Sequence, residues 1–248
     1  FYQGDSSVRW VKQYAADLTT IHEKQASAAR AAKAMPAGTR LLVCDAGAIP
    51  YLSGKWTFDL VGLTSPVGLN YFRNGVGSRF ELFERLPEKK RPTHIAAYGF
   101  CLWHGAEGKI LSMHRDMMIA ELAEKDAGTG HLPLTQYDGW QVVDRVDIAD
   151  LHSEAAHDYE QSSRGAIQDN IVHRDRPPGE ELSPQVADGG RLIIERQSMT
   201  FKARPAEPVK LVARFTVGLD VQLELEVGGQ TFPVKLDATA VQQWREIT

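Results

Sequence analysis

The chain is poor in cysteine, with two in 248 residues, Cys44 and Cys101. A disulfide framework is therefore excluded as the source of stability. A chain of this length can bury a sufficient core without staples. No apolar run approaches the ~18 residues that span a bilayer, and no signal-peptide pattern is visible. There is no long basic run, and the formal net charge is −4, so nucleic acid is a poor partner. No Gly-x-Ser-x-Gly elbow, Walker-type Gly-Lys-Ser/Thr or His-Glu-x-x-His occurs. Their absence removes the usual signals for an α/β hydrolase, a P-loop nucleotide site and a zincin. Gly75-Val-Gly77 lacks the third glycine of a dinucleotide fingerprint. No cofactor is implied.

What remains reads as ordinary globular protein, with 43% hydrophobic and 24% charged residues. The length suits one large or two ordinary domains. Residues Ser6 to Met35 carry Val8, Val11, Tyr14, Leu18 and Ile21 at helical spacing, followed by an alanine-rich stretch, and predict a long helix stopped by Pro36 and Gly38. Arg40–Cys44, Lys55–Leu63 and Thr93–Tyr98 predict buried strands, with a short helix over Ser78–Leu86 between the last two. Ile110–Lys125 predicts a further helix. Strands alternating with helices predict an α/β lobe with a three-layer, mostly parallel sheet over residues 1–130. From Trp140 onward the pattern alternates instead. Trp140–Ile148, Arg191–Ala203, Val209–Val217, Val221–Val227 and Gln230–Leu236 predict strands, with a hairpin turn at Gly228-Gly229. Arg174–Asp188 predicts a surface loop. Residues 131–248 are thus expected to form an all-β sandwich.

The most distinctive segment is Val43-Cys-Asp-Ala-Gly-Ala-Ile-Pro-Tyr-Leu-Ser-Gly-Lys-Trp-Thr-Phe-Asp-Leu-Val-Gly-Leu. An acid and a glycine directly after a strand are how α/β folds build the C-terminal rim of a sheet. Asp45 is expected to cap a loop or helix N-terminus, Gly47 to permit positive φ or a close approach, and the Tyr51 hydroxyl to reach a carboxylate such as Asp59. The segment resembles a motif of polytopic bacterial glycosyltransferases of the GT-C superfamily, arabinosyl- and mannosyltransferase-like proteins among them. Asp45, Gly47, Ala48 and Tyr51 match an Asp-x-Gly-Ala-x-x-Tyr, and Asp59, Gly62 and Leu63 match an Asp-x-x-Gly-Leu. The resemblance covers about the first hundred residues. The β half resembles, more weakly, the carbohydrate-binding-like sandwiches that some of these proteins append.

The resemblance implies a non-catalytic piece on the extracytoplasmic face of the bacterial inner membrane. Its partners would be the membrane-embedded remainder of the parent protein and a saccharide or lipid-linked sugar. No segment here corresponds to the early loop that carries the catalytic acid in that superfamily, so no catalytic residue is assigned. Phe1 is not a natural initiator, which fits a fragment or a processed chain. Two alternatives stay open: a stand-alone saccharide-binding or cell-envelope interaction module, and a hydrolase or transferase with its site at the Asp45–Asp59 rim.

Candidate saccharide contacts are Asp45, Tyr51 and Asp59 in the first lobe. In the second they are Trp140 and the cluster Asp150, Glu154, His157 and Tyr159, which are expected to be exposed. His152 lies in the same stretch, whose plain alternative is a capped turn. Trp103 and Trp244 are further possible sugar platforms. Cys101, His104 and His114 lack a fourth ligand at a zinc-like interval, so no metal is expected. Both cysteines are expected to be buried, unpaired thiols; a disulfide would require their strands to lie side by side.

Overall fold

A computed structural model describes residues 3–103, 106–123, 139–161, 170–175, 186–192, 195–202, 208–215, 220–237 and 245–247. The chain divides into two compact units, Phe1–Lys125 and Asp126–Thr248.

The first unit opens with helix α1, Gln3–Ile21, which runs through a π-helical turn, His22–Ala26, into α2, Ser27–Lys33. The long helix expected from the apolar spacing is therefore present, with a π-turn inside it. Its two halves differ in burial. Ala28, Ala29 and Ala32 are fully buried, because small side chains let α2 pack closely on the sheet. Val8, Val11, Tyr14, Leu18 and Ile21 on α1 remain exposed.

The strands are β1 (Arg40–Val43), β2 (Trp56–Asp59), β3 (His94–Tyr98), β4 (Glu107–His114) and β5 (Met117–Leu122). They form one sheet in the order β2-β1-β3-β5-β4. β1 lies parallel to both β2 and β3, as the three buried runs predict. The sheet is mixed rather than mostly parallel, because β5 pairs antiparallel with β3 and with β4. This corrects the helix expected over Ile110–Lys125. Met, Leu, Glu and Ala favour helix locally, but the segment turns at Arg115-Asp116 and pairs along the exposed edge of β3. Arg115 takes the left-handed conformation that a two-residue hairpin turn demands (φ 58°). Tertiary pairing overrides a weak local preference.

Helices α3 (Ala48–Ser53), α4 (Pro66–Arg73) and α5 (Val76–Arg85) fill the connections. Leu41, Val43, Ile49, Ala96, Met117 and Ile119 make the core together with Ala28 and Ala32. A second apolar group sets Trp103 against Phe80 (5.7 Å, edge-on) and Phe83 (5.3 Å).

In the second unit, α6 (Leu151–Ala156) precedes a series of short strands. These are β6 (Glu160–Gln161), β7 (Asn170–Asp175), β8 (Val186–Arg191), β9 (Gln197–Ser198), β10 (Ala213–Phe215), β11 (Val221–Val227), β12 (Gln230–Leu236) and β13 (Arg245–Ile247). They pair antiparallel, two by two, as β6-β9, β7-β8, β10-β13 and β11-β12. The β11–β12 hairpin turns through Gly228 (φ 59°) and Gly229 (φ 79°), a turn that needs left-handed backbone at both positions. Trp140–Ile148 forms no strand, and the segment expected as a loop contributes the ends of the β7–β8 pair.

Candidate functional site

The candidate site is the rim where β1, β2 and β3 end. All three strands point the same way, so their C-terminal loops gather on one edge of the sheet, where open α/β folds place their ligands.

Asp59 ends β2 and is 1% exposed. Its carboxylate accepts the Gly62 N–H (3.1 Å), the Thr64 N–H (2.7 Å) and the Thr64 hydroxyl (3.0 Å). Asp59 therefore nucleates its own loop. Gly62, the glycine of Asp-x-x-Gly-Leu, has φ +89°, and a Cβ there would lie 2.6 Å from Leu69 Cα. That position needs glycine for both conformation and space. Gly47 has φ −81°, and a Cβ there would meet only Asp45 Oδ1 at 3.6 Å, so neither the positive φ nor the close approach expected of it requires glycine.

Asp45 follows β1. Its Oδ2 accepts the amide of Gln25 at 2.6 Å, and the same amide donates to the Tyr98 hydroxyl oxygen at 2.9 Å. The bond from Gly47 N to Asp45 Oδ1 is long, 3.5 Å, and α3 has no side-chain cap. Asp45 thus ties β1, β3 and the π-turn together instead of capping α3. Gln25 is buried, and its Oε1 has no hydrogen-bond partner among the described residues. The π-turn carries Gln25 and Lys24 on one bulged turn, a distortion often found at functional positions. Lys24 pairs with Asp116 (2.6 Å) and lies over the Tyr98 ring (5.6 Å). Burial, then the Asp45 and Asp116 carboxylates, push the Tyr98 phenol up to about 12, so it stays neutral and available as a hydrogen-bonding group.

Tyr51 does not reach Asp59. It projects from α3 and is 86% exposed. Leu63, after β2, is 79% exposed, and Phe100, after β3, is 78% exposed and stacked on Tyr98 (5.4 Å, 12°). The ends of β2 and β3 therefore each present one large apolar side chain, and Tyr51 is exposed on α3.

Cys44 and Cys101 also meet at this rim. Both are free, and each thiol shifts the other's ionisation, Cys44 upward and Cys101 downward. Cys101 is buried as expected, whereas Cys44 is half-buried. Arg79 of α5 donates to the Cys101 carbonyl (2.9 Å) and stacks on Phe72 (3.9 Å). Sequence reading missed Gln25, Arg79, Tyr98 and Phe100. Only the register of β1 against β3 brings them to Asp45 and the cysteines, and no local motif records it.

His114, considered as a metal ligand, is held between Ser27 Oγ (2.9 Å) and Ser112 Oγ (3.0 Å). Burial, then the nearby Arg30 charge, lower its pKa. His104 and Trp244 lie outside the described residues. Trp103 is core, 1% exposed.

In the second unit, the cluster expected to be exposed is folded inward. Asp150 (4% exposed) caps α6 by accepting the His152 N–H at 3.0 Å. Glu154 (7% exposed) takes both a pairing with Arg191 Nε and a bond from Nη2 at 2.7 Å, and accepts the Ala149 N–H at 2.8 Å. Arg191 lies 5.7 Å from the Tyr159 ring, and the Tyr159 hydroxyl is buried. Burial pushes that phenol up. His157 sets Nδ1 against the Ser153 carbonyl (2.6 Å) and Nε2 against Asp144 (3.2 Å). These acceptors, the Ser153 carbonyl first, raise its pKa and favour the imidazolium. Asp144 is lowered in turn, chiefly by the Lys202 N–H. Sequence reading missed Arg191 and Asp144 as the partners that turn this cluster inward. Trp140 is half-exposed, with Lys210 Nζ 5.2 Å from its ring.

No helix among the described residues is long and apolar enough to cross a membrane. No curated protein and no solved structure matches the chain. A family described as a domain of unknown function (DUF8728) matches residues 12–162. That match takes in the whole sheet of the first unit and every residue of the rim, and continues through α6 to β6. It covers more than half of the sequence, and the chain belongs to the DUF8728 family.

Proposed function

We propose that the chain is a non-catalytic, extracytoplasmic domain of a membrane glycosyltransferase of cell-envelope polysaccharide or glycolipid assembly, and that its sheet rim recognises saccharide. The observation that carries this reading is the exposure of Leu63 and Phe100 past the ends of β2 and β3, with Tyr51 exposed on α3, while the rim carboxylates are committed to internal bonds. Sugar sites combine an apolar or aromatic surface with a few fixed polar groups. Tyr98, held neutral, and the half-buried Asp45 supply such groups here. Asp59 has its carboxylate filled by Gly62 and Thr64. A general acid or base must instead face the reacting atoms.

The resemblance of the Asp45–Leu63 segment to GT-C proteins supplies the biological setting. The exposed stripe of α1 supports a partner for the first unit. Val11, Tyr14, Leu18 and Ile21 recur at alternating steps of three and four, the spacing that seats one helix on another. The membrane-embedded remainder of a parent protein is the occupant we assign to it. In the second unit, the strict alternation of β11 supports a carbohydrate-binding-like sandwich, with Trp140 as a second platform.

Two assays test this reading. Incubation of the chain with activated sugar donors and with nitrophenyl glycosides is expected to give no turnover. Turnover abolished by Asp45→Asn would replace the accessory role with a catalytic one. Titration with linear mannan and arabinan oligosaccharides is expected to show weak binding, in the millimolar range or about −4 kcal/mol. Binding that survives Tyr51→Ala and Phe100→Ala together would remove the rim from the account.

A further inference from the structure

Cys44 and Cys101 leave neighbouring parallel strands at the same end. Val43 of β1 faces Ala96 of β3, so Cys44 follows its strand directly. Cys101 lies farther along, but the tight 3₁₀ turn Gly99–Cys101 folds the chain back over the strand end. The two thiols, 57 positions apart in sequence, thus come to the same end of two adjacent strands, near enough to perturb each other's ionisation. Arg79 fixes the turn by donating Nη1 to the carbonyls of Cys101 (2.9 Å) and Phe100 (3.4 Å) and Nη2 to Phe72 (3.3 Å). We propose that Cys44 and Cys101 form a redox-active dithiol that closes reversibly to a disulfide across the rim.

The two sulfurs are unequal in acidity and in exposure. The Cys44 hydrogen bond, with help from the Arg79 charge, lowers the Cys101 thiol against the opposing effect of its burial. Cys44 keeps its proton, raised by the same hydrogen bond and by burial. Cys101 is 2% exposed and Cys44 is half-buried, so we assign the first contact with an outside reagent to Cys44. The oxidant is a low-molecular-weight disulfide such as oxidised glutathione. Cys44 attacks it as its proton passes to Cys101. The first glutathione leaves as a thiolate and takes a proton. Cys101, deprotonated again, attacks the Cys44 sulfur of the mixed disulfide, and the second glutathione leaves and is protonated. One S–S bond forms and one breaks. Two electrons pass to the oxidant, and the Cys44 proton and one from solvent end on its two thiols.

Closure would tie the β1–α3 loop, which carries Asp45, to the turn that carries Phe100. Oxidation would therefore fix the spacing of Asp45 and the exposed Phe100 ring. The inference stands on the strand register and the thiol contact and does not depend on saccharide binding.

The test incubates the full chain with oxidised glutathione, quenches with an alkylating agent and maps the peptides by mass spectrometry. The expected result is a peptide pair joined through Cys44 and Cys101, lacking two hydrogens and restored to two alkylated thiols by reductant. Cys101→Ser should instead accumulate a glutathione adduct on Cys44. Two fully alkylatable thiols after excess oxidant and denaturation would overturn the proposal. So would bridges that join different chains only.

Discussion

The rim of the first unit and the α6 cluster of the second invite the same reading in sequence, since each offers acids beside aromatic residues. They part company in what surrounds those acids. At the rim, Asp59 and Asp45 bind backbone and amide groups, and the apolar side chains Leu63 and Phe100 that follow the strand ends are left outside, as is Tyr51 on α3. In the α6 cluster, Glu154 is closed by Arg191, Asp150 by the helix N-terminus, and the Tyr159 hydroxyl is buried. Both sets of carboxylates hold the chain together, but only the rim also presents a surface. A polar cluster in a sequence is thus better judged by the cation or N–H that will satisfy it than by its own composition.

The largest effect that would sharpen this contrast is at Glu154. Glu154→Gln leaves the buried Arg191 without its counter-charge, and breaking such a pair costs about 3–5 kcal/mol. Urea unfolding of the second unit's signals should show this loss. Stability within experimental error of the parent would mean the cluster is solvated and open to ligand.

Next in size is Gly62→Ala. A side chain there meets the Leu69 backbone in a left-handed conformation, for a cost of about 2–4 kcal/mol. Thermal unfolding measures it. A neutral outcome would show that the Asp59 loop is not the rigid frame described.

A smaller effect concerns pH. His157 has a raised pKa in the fold, so its contribution is full below the ordinary histidine value and fades as pH rises through the folded pKa. Asp144 is lowered, so its contribution is present above the ordinary carboxylate value and is lost as pH falls through the folded one. His114 is lowered too, and it disfavours the fold as pH drops below the ordinary histidine value. The midpoint of denaturant unfolding in the second unit should therefore decrease on passing from mildly acidic to mildly alkaline buffer. His157→Asn should flatten that slope, and an unchanged slope would show that the ring is not held as an imidazolium.

Smallest of all is Tyr51→Ala. An 86% exposed ring contributes little to stability, so unfolding should shift by no more than about 0.5 kcal/mol. A larger loss would mean the ring packs against something and is no platform.

Much of this contrast could not be read from the chain. The three parallel strands, the long helix, the Ser78–Leu86 helix and the Gly228-Gly229 hairpin announce themselves, because buried runs, alanine-rich segments and paired glycines each have a local physical cause. The β4–β5 hairpin does not, since Met, Leu, Glu and Ala suit a helix until β3 offers an unpaired edge. The motif residues Asp45, Gly62 and Asp59 are visible as a rim, but Tyr51 points to solvent and Gln25 takes the place that capping would have filled. The meeting of Cys44 with Cys101, and of Glu154 with Arg191, depends on pairings between distant strands and leaves no trace in spacing.

The measurement that tests the central claim most directly is an amide NMR titration of the intact chain with mannan and arabinan oligosaccharides, run beside the Tyr51→Ala, Phe100→Ala double variant. The account predicts shifts confined to residues around Cys44–Ser53, Asp59–Thr64 and Tyr98–Cys101, lost in the variant, with Asp150–Tyr159 unmoved. Shifts centred on Asp150–Tyr159, or none anywhere at high oligosaccharide concentration, would contradict it.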